Sequence, residues 1–133
     1  MLAVDTNVLI RALVDDPGAP EQCRMARRLL ASEGQVYVTQ IVQVELVWLL
    51  TRVLRYPKQV VIHTLRQLDA HAAVHLQSHA AFQSALVAFA DGFDFSDALI
   101  AAEAARAEVR LVTFDRKFAR YPGVFQLSAQ VVD

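Results

Sequence analysis

At 133 residues, with 55% hydrophobic and 20% charged side chains, the chain has the composition of one packed domain over residues 1–133, with no low-complexity linker or tail. Its formal net charge of −1 excludes bulk attraction to a polyanion, so nucleic acid can be bound only through the local distribution of charge. No apolar run is long enough to span a bilayer and the first residues lack a signal-peptide pattern, which predicts a cytoplasmic protein with no membrane partner; Cys23, the one cysteine, excludes an internal disulfide and reads as inert packing.

Residues 2 to 4 predict a short apolar strand, and Asn7 to about Val14 a helix ended by the turn Asp15-Asp16-Pro17-Gly18. Pro20 suits a first helical turn, and Cys23, Ala26, Arg27 and Leu30 recur at helical spacing until Gly34, leaving Arg24, Arg27 and Arg28 outside. Val36-Tyr37-Val38 predicts a second strand, and Thr39 caps a helix from about Gln40 to Leu54 that is apolar nearly all round. A helix over 58–69, a strand over 73–76 and a helix from a Ser78 cap to about Ala90 follow. Asp94 or Ser96 caps a helix from about Asp97 to Ala107, before strands at Val109–Thr113 and, as an edge, Val124–Leu127. Alternating strands and helices imply an α/β fold with a mainly parallel sheet covered on both faces, whose ligands bind beyond the carboxyl ends of the strands.

That rule gives meaning to Asp5, which interrupts the apolar opening "MLAVDTNVLIR" where the first strand ends, and to Asp115, just beyond the strand ending at Thr113. Glu45 in "QIVQVELVWLL" has apolar neighbours on both sides, and a buried carboxylate there needs an arginine, a metal or a hydrogen-bond network. Asp97 in "DFSDALIAA" occupies a first helical turn, where the helix dipole alone also favours an acid. Taken together, several carboxylates at one end of a sheet repel one another unless divalent cations neutralise them, and an all-oxygen set favours Mg²⁺ or Mn²⁺. Such ions activate water and stabilise displacement at phosphorus, which points to phosphodiester hydrolysis, with Thr6, Asn7 and Thr113 holding carboxylates and waters by hydrogen bonds.

The ordered set "VDTNVLIR", "VTQIVQVELVWLL" and "DFSDALIAAEAARAEVRLVTFDRKF" resembles the PIN-domain family, in particular the ribonuclease toxins of VapBC-type toxin–antitoxin pairs. The resemblance implies a three-layer α/β/α sandwich, and a metal-dependent endoribonuclease in which Asp5, Glu45, Asp97 and Asp115 bind Mg²⁺ or Mn²⁺. It further implies Asn7 and Thr113 as polar supports, a homodimer, and a small antitoxin whose C-terminal segment lies across the groove. Asp94 reads as a cap for the Asp97 loop or as an outer acid. Many relatives carry another acid past the fourth motif where this chain has Arg116-Lys117-Phe118, which leaves one-metal chemistry open.

Arg116, Lys117 and Arg120 beside Asp115, and Arg11 one turn after Asn7, are the candidate RNA contacts; Arg52, Arg55 and Lys58 form a second basic cluster. His71, His75 and His79 have the spacing of a helical ligand face, but the strand predicted through His75 separates them. Two rival readings stand beside the nuclease. One is a catalytically silent binding module acting through RNA or protein contacts; the other is a phosphatase with Asp5 as nucleophile, which lacks a second acid because Asn7 occupies its place.

Overall fold

The computed structural model describes residues 1–32 and 34–128, so the last five residues of the span 1–133 expected for one domain lie outside the described residues. The chain divides into two compact units, Met1–His79 and Ala80–Asp133.

In the first unit, strands β1 (Leu2–Ala3), β2 (Val36–Val38) and β3 (Val74–Leu76) form a sheet in that order. All pairings are parallel, with Leu2 opposite Val36, and Val36 opposite Val74. The connections are helical: α1 (Thr6–Leu13) and α2 (Pro20–Ala31) between β1 and β2, then α3 (Gln40–Trp48) and α4 (Lys58–Ala70) between β2 and β3. Parallel neighbours require such crossovers, because no tight turn returns a chain in the same direction. Buried Val36, Val38, Leu9, Leu46, Leu50 and Leu65 supply the apolar interior, and Cys23 is packed and buried as a small hydrophobe.

The helix expected over Gln40–Leu54 changes character at its end: Leu49–Val53 forms a π turn, closed by the Leu54 N–H on the Leu49 carbonyl at 2.8 Å. Arg55 then adopts φ 54, and Pro57 keeps its predecessor out of a continued helix.

The second unit runs through α5 (His79–Ala90), α6 (Phe95–Arg106), β4 (Leu111–Thr113), a 3-10 turn at Phe118–Arg120, and β5 (Val124–Gln126), which pairs with β4 in parallel. Here α6 begins two residues before the expected Asp97, because Asp94 rather than Ser96 caps it. Strand β4 starts at Leu111 instead of Val109 for a related reason: Glu108 turns left-handed with φ 57, and the Val109 N–H closes the preceding helix on the Ala104 carbonyl at 3.0 Å. The fold class is as expected, α/β with parallel strands.

Phe95, 2% exposed, anchors the start of α6. Its ring meets Phe82 and Phe89 edge to face, at centroid distances of 5.7 and 6.4 Å. Truncating this ring removes both aromatic contacts and opens a cavity beside the Asp94–Asp97 turn. Phe95→Ala should therefore lower the unfolding free energy by about 3–5 kcal/mol, read by urea titration, and Phe95→Leu by clearly less.

Candidate acidic site

Three of the expected site acids lie where an element begins or turns, and in each case backbone N–H groups hold one of the carboxylate oxygens. Asp5 caps α1, its Oδ1 accepting from Val8 N at 3.0 Å. Asp94 caps α6, its Oδ1 accepting from Asp97 N at 2.9 Å and from the Ser96 hydroxyl at 2.6 Å. Asp115 folds the turn after β4, its Oδ1 accepting from Lys117 N at 2.8 Å and from Phe118 N at 3.2 Å. Thr113 supports that turn from the strand end, its hydroxyl oxygen accepting from Asp115 N at 3.0 Å.

In the first unit, Thr6 is buried and donates from Oγ1 to Glu45 Oε1 at 2.9 Å, tying α1 to α3. The carboxylate that the Thr6 hydroxyl holds is thus Glu45, from a distant helix, and not the adjacent Asp5. Glu45 itself corrects a second expectation. It is exposed, because Val42, Gln43, Leu46, Val47 and Leu50 form the inward stripe of the helix and Glu45 shares the outer face with Ile41 and Trp48. The helix is therefore not buried all round, and no arginine is needed to explain its acid. Asn7 lies exposed in the first turn of α1.

Gln43 is the residue that sequence reading passed over. It is 0% exposed, and its Nε2 donates to the carbonyls of Val38 at 3.2 Å and Gln77 at 3.0 Å. Gln77 in turn accepts from Gln40 N at 2.7 Å through Oε1. This network pins the start of α3 to the carboxyl ends of β2 and β3, and so sets where Glu45 emerges. The signal was present: Gln43 falls in register with Val42, Leu46, Val47 and Leu50, while Glu45, two residues on, points elsewhere.

Arg11 does not serve as an outward cation. Its Nη1 pairs with Asp16 Oδ2 at 2.6 Å and its Nε donates to Gln22 at 3.1 Å, so the guanidinium is held at the turn between α1 and α2. Arg116, Lys117 and Arg120 are exposed and make no ion pair among the described residues. The three histidines at helical spacing are dispersed: His71 ends α4, His75 lies in β3 opposite Tyr37 with its ring hydrogen-bonded to the Gln35 side chain, and His79 pairs with Asp69.

The electrostatics of the second unit centre on Asp97. Burial pushes its carboxyl above the ordinary aspartate value, and the charges of Asp94 and Asp115 push it further. Carboxylate oxygens are the donors a hard divalent cation takes, and in each unit by itself the held acids, Asp5 and Glu45 in the first and Asp94 and Asp115 in the second, use one oxygen in the hydrogen bonds given above. Among the described residues, neither unit by itself gathers three or more His, Cys, Asp or Glu side chains closely enough to hold an ion. No helix among the described residues is long and apolar enough to cross a membrane.

The raised value belongs to the folded chain, so ionising Asp97 weakens the fold as pH rises through it. Asp97→Asn should then raise the melting temperature of the metal-free protein by about 2 °C at neutral pH. The gain should shrink as pH falls through the raised value and vanish below the ordinary aspartate range, where the native acid is protonated whether the chain is folded or not. Calorimetric melts across pH check this, and a gain independent of pH contradicts it.

The sequence profile of the PIN domain matches residues 2–124. A comparison with curated proteins finds no match. PIN domains are generally nucleases, hydrolases of nucleic acids that typically use divalent metals. The match runs from the first strand to the last and takes in Asp5, Glu45, Asp97 and Asp115, and with it the protein belongs to the PIN-domain family.

Proposed function

We propose that this PIN-domain protein is a metal-dependent endoribonuclease, with Asp5, Glu45, Asp97 and Asp115 as the carboxylate ligands of Mg²⁺ or Mn²⁺. One observation carries the reading: Asp97 lies near two further acids, Asp94 and Asp115, and burial together with their charges pushes its carboxyl above the ordinary aspartate value. A divalent ion is the counterion this arrangement lacks. When bound, it supplies an acidified water and neutralises charge at the phosphate.

The protein's own part is to hold oxygens still. Val8, Lys117 and Phe118 N–H groups fix the Asp5 and Asp115 carboxylates, and the Thr6 hydroxyl fixes Glu45, so each acid is oriented before substrate arrives. Asp94 acts as the cap that orients the Asp97 turn. Arg116, Lys117 and Arg120 offset the repulsion between carboxylates and RNA phosphates, a role for which Arg11 is not free.

The order and spacing of the acidic motifs support a toxin of a type II toxin–antitoxin pair, cytoplasmic and homodimeric, restrained by a small antitoxin. Ile41 and Trp48, exposed on the same face of α3 as Glu45, are consistent with a protein partner covering that surface. The profile match across both units supports reading residues 1–133 as one domain. A second reading, a catalytically silent binding module, is favoured by the lack of a three-ligand group within either unit among the described residues.

Asp5→Asn separates the two. Asparagine caps a helix as well as aspartate, so the variant should fold and melt like the parent. Its Mn²⁺-dependent cleavage of RNA should fall by more than the roughly 10–100-fold expected for an outer-shell contact. Undiminished metal-dependent cleavage would reject the assignment of Asp5, and a folded parent chain that takes up no Mn²⁺ in calorimetry would favour the silent module.

A further inference from the structure

Phe114, between Thr113 and Asp115, is 79% exposed, the most exposed of the large hydrophobic side chains among the described residues. The backbone around it is firmly held. Asp115 N–H donates to the Thr113 hydroxyl, the Asp115 carboxylate accepts from Lys117 and Phe118 N–H groups, and Phe118 is buried against Ala101 and Val124. A turn anchored this way points one ring into the core and leaves the other in water.

The surroundings of the exposed ring indicate what could cover it. From Val109 to Arg120 the sequence holds four cations, Arg110, Arg116, Lys117 and Arg120, against Asp115, with Asp97 of the α6 start close enough to Asp115 to feel its charge. The neighbouring aromatic, Phe125, is already faced by the Arg110 guanidinium at 4.6 Å from its centroid, whereas Phe114 makes no ring or cation contact among the described residues. An open aromatic face on a hydrogen-bonded turn, followed in sequence by Arg116, Lys117 and Arg120, which make no ion pair among the described residues, has the chemistry of a stacking platform for single-stranded nucleic acid, the ring taking a base and the cations its phosphates. An apolar protein surface would leave those charges unanswered.

We infer that Phe114 is a positioning residue that stacks on an unpaired base of the RNA next to the phosphate handled at Asp115. The inference rests on the nuclease reading for its choice of RNA, but the ring is not a catalytic group and its contact can be measured without hydrolysis.

The test uses the full chain carrying Asp5→Asn, with a fluorescein-labelled ten-nucleotide oligouridylate and a ten-base-pair RNA duplex as probes. Adding Phe114→Ala should weaken binding of the single strand about tenfold while changing duplex binding less than about twofold. Circular dichroism should be unchanged, because most of the ring is in water. Phe114→Trp should keep the single-strand affinity, and its added fluorescence over that of Trp48 should be quenched as the oligonucleotide binds. Unchanged single-strand affinity in Phe114→Ala overturns the inference, as does equal loss on both probes or no binding of either probe by the parent. Unchanged RNA affinity with loss of self-association in sedimentation assigns the ring to a protein contact and also overturns it. The stacking results without Mn²⁺-dependent cleavage by the native chain would uphold the contact and remove the nuclease reading.

Discussion

Much of the local structure depends on carboxylate oxygens accepting backbone N–H groups at the points where the chain leaves one element for the next. A helix begins with N–H groups that have no partner inside it, and an aspartate at the cap answers one of them. Asp5 does this for α1 and Asp94 for α6, while Asp115 closes the turn beyond β4 by the same chemistry. The acids that look functional are thus also structural, one oxygen being enough for the fold. The second oxygen of each takes no part in these bonds.

Glu45 reaches a comparable state by another route. It lies in the middle of a helix, where no backbone N–H is free to orient it, and takes its bond from a buried hydroxyl on a different element. The position of that helix therefore matters more than any local cap. Gln43 supplies the constraint by linking α3 to the ends of β2 and β3, at the energetic cost of an Oε1 atom buried with no hydrogen-bond partner among the described residues. A buried amide that satisfies two strand-end carbonyls fixes register as an apolar side chain of similar size would not.

The parts of this arrangement that sequence could reveal are those governed by nearest neighbours. The strand–helix alternation, the Thr39 cap and the acids at Asp5 and Asp115 follow from periodicity and capping chemistry within a few residues. Helix α6 starts earlier than its apolar periodicity suggests because Asp94 outcompetes Ser96 as cap, and both are good cap residues. Glu45 was misjudged by counting apolar neighbours along the chain instead of around the helix. The partner of Thr6 was not legible, since it lies 39 positions away and depends on how α1 and α3 pack. The same holds for the raised carboxyl of Asp97, which reflects burial and the approach of Asp115 from another element.

What the capping acids gain in precision they give up in electrostatic comfort. A cap needs only one negative group near a helix start, yet α6 has Asp94 at its cap, Asp97 in its first turn and Asp115 acting on the Asp97 carboxyl. The helix dipole rewards the first of these charges and cannot compensate for three. A chain selected for stability alone would place serine or asparagine at Asp97, where the carboxylate is a liability without a cation. The excess of acid over what capping requires is the charge that the proposed divalent cation would offset. The cations just past Asp115 make sense on the same ground: they do not pair with these acids among the described residues, so their charge stays available for an anion that arrives from outside.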